Sequence, residues 1–294
     1  MNNIINFEYG ENSYQTARFE KIENNIEYEI NGKLTFNEMI SVSRGLNLIS
    51  DFYDVNAACS VKGNGICAAA LGQSVSDAVQ KVMDSNPVDF MTSVVVSSKE
   101  VDSETARFLK DTNIIVAPKF TKSAIEILTN HNIKFMTVKT PLKDYKQYLP
   151  ENIKATPLGN FIESPNLSEL DKDTFKVVSK QKPTVEQIED AVFAWKVAKH
   201  ANSQAIIIAK DLKTTAVAQG LQTASVEFAL DYSCDMSKDA ILASDMPITI
   251  HDINTAAQGR VGLIIVPSMD KDAISQADKF GMAVITTQIT NILY

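Results

Sequence analysis

The segments VKGNGICAAALG (residues 61–72) and AKDLKTTAVAQG (residues 209–220) decide the fold of this 294-residue chain. Lys62 and Lys210 each follow an apolar run, AACSV or AIIIA, and a glycine lies ten residues beyond each lysine. A run of small residues and then a stretch of helical periodicity follow in both places. Self-similarity of this kind indicates an internal repeat. The chain is therefore predicted to contain two halves with the same pattern.

The repeat continues downstream of both segments. The same spacing joins an aspartate, a threonine and an alanine in each half, at Asp102, Thr105 and Ala106 and at Asp252, Thr255 and Ala256. The apolar strands NIIVAP and LIIVP come next, and a helical stretch then leads to a last apolar strand in each half. Short apolar runs that alternate with helical periodicity are typical of a sheet covered by helices. The predicted fold class is therefore α/β with two repeated halves.

A connector separates the two halves. The predicted divisions are a first half over residues 1–140, a connector over 141–183 and a second half over 184–294. Five prolines and many charges interrupt the connector, so it is predicted to lie outside the core. The second half opens with Thr184 and Gln187, which fit a capping box at the start of a helix. Trp195 lies on the apolar face of that helix and is predicted to be a core residue.

Composition and charge exclude several classes of function. The net charge of −8 argues against a nucleic-acid partner, because a phosphate backbone requires a clustered basic face. No apolar run is long enough to cross a bilayer, and the N-terminal residues are too polar for a signal peptide. Three cysteines suit a reducing compartment. The expected location is the cytoplasm, with neither nucleic acid nor a membrane as partner.

The glycines after Lys62 have two structural interpretations, a dinucleotide-binding loop and a hairpin turn. Gly63, Gly65 and Ala68 loosely match a dinucleotide-binding fingerprint, which requires a strand before it and a helix directly after it. Asn64-Gly65 between two apolar runs is instead a strong hairpin signal. We therefore predict a hairpin here and no dinucleotide site.

No metal site is predicted. Zinc deaminase chemistry requires a His-x-Glu and a Pro-Cys-x-x-Cys pattern, and the sequence has neither. Cys59 and Cys67 at best face each other across the predicted hairpin. The three histidines are scattered along the chain, at His131, His200 and His251. A buried metal requires three or four converging ligands.

Two polar features have a functional and a structural interpretation. A lysine at the end of a strand, such as Lys62 or Lys210, can bind a phosphate or an oxyanion, or it can be a solvated side chain at the sheet edge. The segment YGEN (residues 9–12) is similarly ambiguous, because turn chemistry explains Gly10 and Asn12 without a ligand.

Several segments together resemble one family. They are YGEN with Gln15, NGKLTFNEMISVSRGLNLI (31–49), KEVDSETARFL (99–109), IIVAPKFTKSAIEIL (114–128) and KVVSKQKPTVEQIEDAVFAWKVAKH (176–200). In order and spacing they resemble the formyltransferase (AICAR transformylase) domain of the bifunctional purine biosynthesis enzyme. The resemblance covers essentially the whole chain.

The resemblance implies a fold and an activity. The fold would be two cytidine-deaminase-like α/β halves, in agreement with the repeat. The activity would be transfer of a formyl group from 10-formyltetrahydrofolate, as co-substrate, to the amine of a purine-precursor ribonucleotide. Members of the family work as homodimers with sites at the subunit interface, and the transfer itself requires no metal.

The resemblance also assigns roles to particular residues. Lys62 would be catalytic, and the substrate-binding residues would be Tyr9, Gly10, Asn12, Gln204 and Asp245. The family's histidine after the lysine, the expected proton acceptor, is Gly63 here. The family's opening arginine, a natural phosphate ligand by its forked geometry, is Glu8. The family's Ser-Arg near the second glycine turn is Thr223-Ala224. The chain therefore retains the lysine and lacks the usual base and phosphate ligands.

Three hypotheses remain open at this point. The first is formyl transfer to the usual nucleotide, with Lys62 steering the formyl oxygen. The second is a catalytically inactive relative that acts as a structural or regulatory partner, for example in a hetero-dimer with an active family member. The third is a related folate enzyme with a different, non-phosphorylated acceptor. Lys199 and His200 also match the family, although a charge pair favoured by the dipole at a helix C-terminus explains them.

Overall fold

The computed structural model describes residues 4–170, 175–220 and 225–293. The strands are β1 Ile4–Asn6, β2 Arg18–Glu20, β3 Tyr28–Asn31, β4 Ala57–Lys62, β5 Gly65–Leu71, β6 Val94–Ser97, β7 Ile114–Ala117, β8 Lys134–Val138, β9 Asn152–Thr156, β10 Gly159–Glu163, β11 Lys176–Val177, β12 Ile206–Lys210, β13 Lys213–Ala218, β14 Ile241–Ser244, β15 Leu263–Val266 and β16 Ala283–Thr286. The helices are α1 Phe36–Ser50, α2 Val75–Ser85, α3 Pro87–Phe90, α4 Ser103–Phe108, α5 Lys122–Asn130, α6 Val185–His200, α7 Ser225–Ser233, α8 Ile250–Gln258 and α9 Lys271–Lys279. Short 3-10 helices occupy Leu142–Tyr148 and Cys234–Ser237.

Within the described ranges, twelve strands form one sheet, in the order β11-β16-β15-β14-β12-β13-β5-β4-β6-β7-β8-β3. In the first half, β4 pairs antiparallel with β5 and β6, and β6, β7 and β8 run parallel. In the second half, β12 pairs antiparallel with β13 and β14, and β14, β15 and β16 run parallel. The halves meet where β5 pairs with β13, with Ala70 opposite Lys213. The predicted α/β class is confirmed, and one strand order occurs on both sides of this junction.

Helices cover both faces of the sheet. On one face, α1 and α6 contact each other and share a core cluster that spans both halves. On the other face, α2, α4 and α5 cover the first half and α7, α8 and α9 cover the second. Successive strand residues point to opposite faces, so Cys59 packs toward α1 whereas Ala58 packs toward α2. Burial on both faces explains why the parallel strands are nearly continuous apolar runs.

Helix α1 packs closely against the strands of the first half. It begins with a capping box, in which the Thr35 hydroxyl accepts from the backbone N–H of Glu38 and the Glu38 side chain accepts from that of Thr35. At Gly45 a Cβ atom would lie 2.4 Å from Cγ2 of Val96, so only glycine fits without a shift. This close approach brings one face of α1 against β4 and β6.

Helix α6 has the start and the buried face that its sequence predicts. Thr184 and Gln187 form the predicted capping box, which is confirmed. Trp195 is 1% exposed and belongs to the cluster shared with α1, which confirms its prediction as a core residue.

Residues 141–183 contribute to the core and to the sheet as well as linking the halves. Leu142 and Tyr145 are buried in the cluster beneath α1. Strand β11 pairs antiparallel with β16 at one sheet edge, and β9 and β10 form a separate exposed hairpin. The segment differs from the expected connector outside the core because its apolar side chains pack beside α1.

The hairpin predicted after Lys62 is confirmed. Lys62 lies opposite Gly65, so the turn residues are Gly63 and Asn64 and not Asn64 and Gly65. Gly63 has a φ of +57°, in the left-handed region that favours glycine. The turn places Lys62 at the last position of β4.

The register of the hairpin separates two of the cysteines. Cys59 lies opposite Ala69, so the expectation that Cys59 faces Cys67 is wrong. The two-residue turn and a β-bulge after Ser60 set this register.

Strands β1 and β2 form a small ribbon outside the large sheet. Phe7, directly after β1, meets the Phe36 ring of α1 edge-on, with ring centroids 5.7 Å apart. No helix in the described part of the chain has the length and apolarity needed to cross a bilayer.

Candidate functional site

Lys62 lies at the hairpin turn and is held in an ion pair. Its Nζ is 3.0 Å from Oδ1 of Asp89, and about half of the Lys62 side chain is exposed. Asp89 belongs to α3, which Asn86 caps. Asn86 Oδ1 accepts from the Asp89 backbone N–H at 3.2 Å, and Asn86 Nδ2 donates to Asp89 Oδ2 at 3.1 Å. The hydrogen bond from Lys62 lowers the pKa of Asp89, so the carboxylate remains ionised beside the ammonium group.

A cavity of about 300 Å³ lies beside this ion pair, between the two halves. Cys67 and Asn86 line it from the first half, and Gln219 and Tyr232 line it from the second. Burial raises the pKa of Cys67 to about 12, so its thiol is protonated near neutral pH and is a poor nucleophile. The cavity thus offers amide, phenol, carboxylate and ammonium groups, and the two charged groups are already paired.

A chain of hydrogen bonds crosses the junction of the halves behind the turn. Gln219 Nε2 donates to the Ile66 carbonyl at 2.8 Å, and Gln219 Oε1 accepts from the Asn202 backbone N–H at 3.2 Å. Asn202 Nδ2 donates to the Asn64 carbonyl at 2.9 Å. Arg44 Nε donates to Asn64 Oδ1 at 2.5 Å, and Arg44 Nη2 donates to Asn202 Oδ1 at 3.4 Å. Side chains of both halves therefore hold the turn.

A second cavity, of about 750 Å³, lies between α1, the end of α6 and the N-terminal strands. Arg44 and Asn47 are one helical turn apart on α1 and both line this cavity. Tyr145 donates its hydroxyl proton to Asn47 Oδ1 at 2.8 Å. Lys199 and His200 line the cavity from the end of α6.

Asp51, the C-cap residue of α1, is the centre of a buried ion cluster. Its Oδ2 accepts from Lys199 Nζ at 3.1 Å and lies 2.8 Å from His200 Nε2, and its Oδ1 lies 2.7 Å from Lys146 Nζ. Burial acts to raise the pKa of Asp51, but the hydrogen bond from His200 and the neighbouring cations outweigh burial and hold that pKa well below its usual range. Lys199 and His200 were expected to form a helix-end charge pair. They lie in the last turn of α6, as expected, and they also bind a carboxylate of the other half, because the ends of α1 and α6 pack together.

The predicted substrate-binding residues near the N-terminus form a local turn. The Gly10 backbone N–H donates to the Gln15 carbonyl at 3.0 Å, and the Asn12 backbone N–H donates to Gln15 Oε1 at 2.9 Å. Tyr9 is exposed beside them. The hydrogen bonds of the described residues do not join this turn to Lys62.

The other two predicted substrate-binding residues lie on the second half. Asp245 follows β14 and is 1% exposed. It accepts hydrogen bonds from the Ser203 hydroxyl and, at 2.8 Å, from the Ala205 backbone N–H, and burial raises its pKa. Gln204 lies between these two partners, is partly buried and follows a cis peptide bond. Asp245 therefore holds the segment that carries Gln204.

The structure does not gather all the residues that the sequence suggested. Of those within the described ranges, Lys62 lines the smaller cavity, and the other predicted site residues line neither cavity. Lys210, the repeat counterpart of Lys62, donates to the Lys238 carbonyl at 2.8 Å. Thr223 and Ala224 lie outside the described residues.

Sequence reasoning missed three residues of these cavities and of the adjacent cluster. Asp89 follows Asn86 by three residues at the start of a short helix, and this spacing could have indicated that Asp89 belongs to a helix N-terminus capped by Asn86. Nothing local in the sequence indicates that Arg44 meets a residue 158 positions away or that Asp51 meets one 148 positions away. Within residues 4–170, 175–220 and 225–293, no group of three or more His, Cys, Asp or Glu side chains is placed to hold a metal ion.

Comparison with known proteins identifies the family. The family model of the AICARFT/IMPCHase bienzyme matches residues 1–231. The chain belongs to this family. The bifunctional purine biosynthesis protein PurH of Anoxybacillus flavithermus is 31% identical over 297 residues, which are 96% of this chain and 57% of that protein. PurH of Caldicellulosiruptor saccharolyticus is 33% identical, over 96% of this chain and 57% of its own length. PurH of Fusobacterium nucleatum is 31% identical, over 97% of this chain and 58% of its own length.

The AICARFT/IMPCHase match is to the transformylase part of these relatives. The chain spans less than two thirds of the length of the PurH proteins it matches, with 57% of the Anoxybacillus flavithermus protein covered.

Proposed function

We propose that this chain transfers a formyl group from 10-formyltetrahydrofolate to the amine of a purine-precursor ribonucleotide. Membership of the AICARFT/IMPCHase family supports a formyltransferase of purine biosynthesis. The observation that carries the assignment of the site is the position of Lys62. It ends a strand at a turn built by both halves and lines a cavity of about 300 Å³ between them.

In the proposed reaction the acceptor amine attacks the formyl carbon and a C–N bond forms. The bond between that carbon and N10 of the folate then breaks. One proton leaves the amine and one is delivered to N10. The Lys62 ammonium group is proposed to stabilise the negative charge that develops on the formyl oxygen, as preorganised donors do in acyl transfer.

The amine also requires a proton acceptor. Gly63 has no side chain, and within 4 Å of the position a Cβ would occupy there is no described atom beyond Gly63 and its two chain neighbours. Asp89 is the carboxylate 3.0 Å from Lys62, and it lines the same cavity. We assign the proton-acceptor role to Asp89. Its lowered pKa makes it a weaker base than a histidine, which favours a slow reaction.

The finer features of the family belong to the same proposal. Each half is proposed to have a cytidine-deaminase-like fold, and the strand order that occurs on both sides of the β5–β13 junction supports this. The chain is proposed to act as a homodimer. Its ligands would be a nucleotide and a folate, with Tyr9, Gly10, Asn12 and Gln204 completing the substrate site.

The second candidate function is that of a catalytically inactive relative with a structural or regulatory role. Two observations favour it. Gly63 stands where the family's base is expected, and Glu8 stands where an arginine would bind phosphate. A hetero-dimer with an active family member would then supply the missing groups.

The test is formation of the formylated ribonucleotide by purified protein at high enzyme concentration. We expect slow turnover that Lys62→Ala abolishes. The matched control is Lys210→Ala, because Lys210 occupies the equivalent strand end in the second half and donates to a backbone carbonyl. Asp89→Asn retains the shape of the side chain but not its basicity, and should lower kcat by about a hundredfold or more.

The alternatives give different results in the same assay. The absence of turnover in the wild-type protein, together with co-purification of an active family member, would support the inactive relative. Turnover with a nucleoside but not with its nucleotide would support a non-phosphorylated acceptor. Equal loss of activity in Lys62→Ala and Lys210→Ala would contradict the assignment of the site to Lys62.

A further inference from the structure

Arg44 has no role in the proposed reaction, yet its environment is unusual. It lies on α1, is partly buried and lines the cavity of about 750 Å³. Burial lowers the pKa of its guanidinium group, which reflects the cost of removing a cation from water. A desolvated cation normally has an anionic partner nearby.

Most other cations of this cavity have such partners, and the exposed Lys21 lies instead over the Tyr28 ring, 5.2 Å from its centroid. Arg18 pairs with Glu20, Lys146 pairs with Asp51 and Glu169, and Lys199 pairs with Asp51. In the described part of the chain, no carboxylate lies within ion-pairing distance of Arg44. That contrast separates Arg44 from cations whose charge the fold already balances.

The hydrogen bonds of Arg44 orient the group without neutralising it. Its Nε donates to the Asn64 side-chain oxygen at 2.5 Å, and Nη2 donates to the Asn202 side-chain oxygen at 3.4 Å. A guanidinium carries about five N–H donors in a planar fork, so roughly three remain for another acceptor. Both partners are neutral amides, so they hold the guanidinium group in place and leave its positive charge without a counter-charge.

The surrounding cavity indicates the kind of molecule that carries the anion. Phe7, Phe36, Met39, Leu149 and Ile292 line it with apolar surface. A volume of about 750 Å³ is that of a typical small-molecule site, in which apolar walls surround a few polar groups. Aromatic walls and one unbalanced guanidinium suit an aromatic body that carries an anionic group.

We propose that Arg44 is the anion-binding residue of a small-molecule site in this cavity. The ligand class is an aromatic or heteroaromatic molecule with a phosphate monoester or a carboxylate. Asn64 and Asn202 act as positioning residues that aim the guanidinium. The proposal does not depend on formyl transfer, because it concerns binding to a cavity that Lys62 and Asp89 do not line.

The test is calorimetric titration of the full chain with two matched pairs of probes. The phosphate pair is aminoimidazole carboxamide ribonucleotide and the corresponding nucleoside. The carboxylate pair is 4-aminobenzoylglutamate and 4-aminobenzamide. In one of the two pairs we expect the anionic member to bind about 10- to 100-fold more tightly than the neutral member, the range typical of a hydrogen bond to a charged group. Which pair shows the preference distinguishes phosphate from carboxylate.

Substitutions test whether Arg44 causes the preference for the anionic probe. Arg44→Gln should remove the preference for the anion, and Arg44→Lys should retain part of it, because lysine keeps the charge but lacks the planar fork. Arg18→Gln is the matched control, since Arg18 lines the same cavity but is paired with Glu20, and it should leave the preference unchanged. Thermal melts check that each variant is folded.

Three results would overturn the proposal. They are equal binding of the anionic and neutral members in both pairs, no binding of any probe, and a preference that survives in folded Arg44→Gln. The formyl-transfer assay distinguishes failure of the Arg44 proposal from failure of the proposed reaction. If the protein shows turnover but no preference for the anionic probes, the Arg44 proposal is contradicted and the proposed reaction is not. If it prefers the anionic probes but shows no turnover, the proposed reaction is contradicted and the Arg44 proposal is not.

Discussion

Two aspartates show how surroundings decide what an ion pair contributes. The Asp51 side chain is 4% exposed and meets three cationic or titratable side chains, whereas the Asp89 side chain is 37% exposed and meets Lys62. Water screens the second pair and barely reaches the first. The same residue type therefore forms a buried, weakly screened ion cluster at Asp51 and a solvent-screened ion pair at Asp89, the residue proposed to accept the proton.

Replacing Asp51 with asparagine should strongly destabilise the protein. The change leaves Lys199 and Lys146 without their buried counter-charge, and breaking such a pair from one side costs about 3–5 kcal/mol in the free energy of unfolding. Urea denaturation followed by Trp195 fluorescence measures this change in the free energy of unfolding. The control is Asp89→Asn, expected to change the same quantity by less than about 1 kcal/mol. Equal effects of the two substitutions would contradict the prediction.

The pKa of Asp51 also predicts a response to acid. Because its folded-state pKa is lowered beneath the unfolded value of about 3.9, the unfolded chain binds the proton more readily. The stabilisation is complete above the unfolded pKa and is lost as the pH falls below it. We expect the melting temperature of the wild type to fall more steeply between about pH 5 and pH 3 than that of Asp51→Asn. Parallel slopes would show that another group dominates.

Residue-level inference from the sequence succeeds where the partner is close in the chain. Thr184 and Gln187 are three positions apart, so their mutual capping was predictable. Lys199 was expected to be a charge at a helix end, and its carboxylate partner lies 148 positions earlier. Such a pairing depends on how two helices pack together, and the periodicity of a single sequence does not predict that packing.

Among the elements, α1 connects the fold with both cavities. Its apolar face belongs to the shared core, and Arg44 and Asn47 on another face line the larger cavity. The close approach of the helix to the sheet at Gly45 fixes the position of both faces. A small shift of α1 would therefore move the Arg44 side chain relative to the turn.

Substitution of Gly45 by alanine tests this packing. Alanine favours a helix by about 1 kcal/mol over glycine, but its Cβ would lie 2.4 Å from Val96 Cγ2, and overpacking typically costs about 1–3 kcal/mol. We expect a net loss in the free energy of unfolding. In a Val96→Ala background the same substitution should be neutral or stabilising. A loss of the same size in both backgrounds would exclude the Val96 contact as the cause.

The elements themselves were largely predictable, and their ends were less so. The hairpin after Lys62 follows from two apolar runs around a glycine-rich pair, but the turn is one residue earlier than the Asn-Gly signal indicated. Gly63 takes the left-handed conformation there, and the bulge after Ser60 absorbs the extra residue. Strand β11 has only two residues, too few for any periodicity.

At the scale of the whole molecule, the two halves are joined by more than one kind of contact. The β5–β13 pair continues the sheet, α1 meets α6 in one core cluster, and the Asp51 cluster and the Arg44 hydrogen bonds cross the same junction. Neither half retains its α1–α6 core without the other. The repeat in the sequence indicated two similar halves, but not that they would share a core.

This shared core predicts a single cooperative unfolding transition. Trp195, the only tryptophan of the chain, reports on the second half, and far-UV circular dichroism reports on both. The two signals should give the same urea midpoint, as expected when no intermediate is populated. A second transition visible only by circular dichroism would show that the halves unfold separately.

The edges of the sheet have a consequence for the behaviour of the protein in crowded solution. The outermost strands are β11, with two residues, and β3, with four residues and the exposed Glu29. Short or charged edges offer an incoming chain few free backbone groups, which is how natural sheets resist edge-to-edge polymerisation. A second copy therefore has little backbone with which to lengthen the sheet, and fibrous growth by strand addition is disfavoured at both ends.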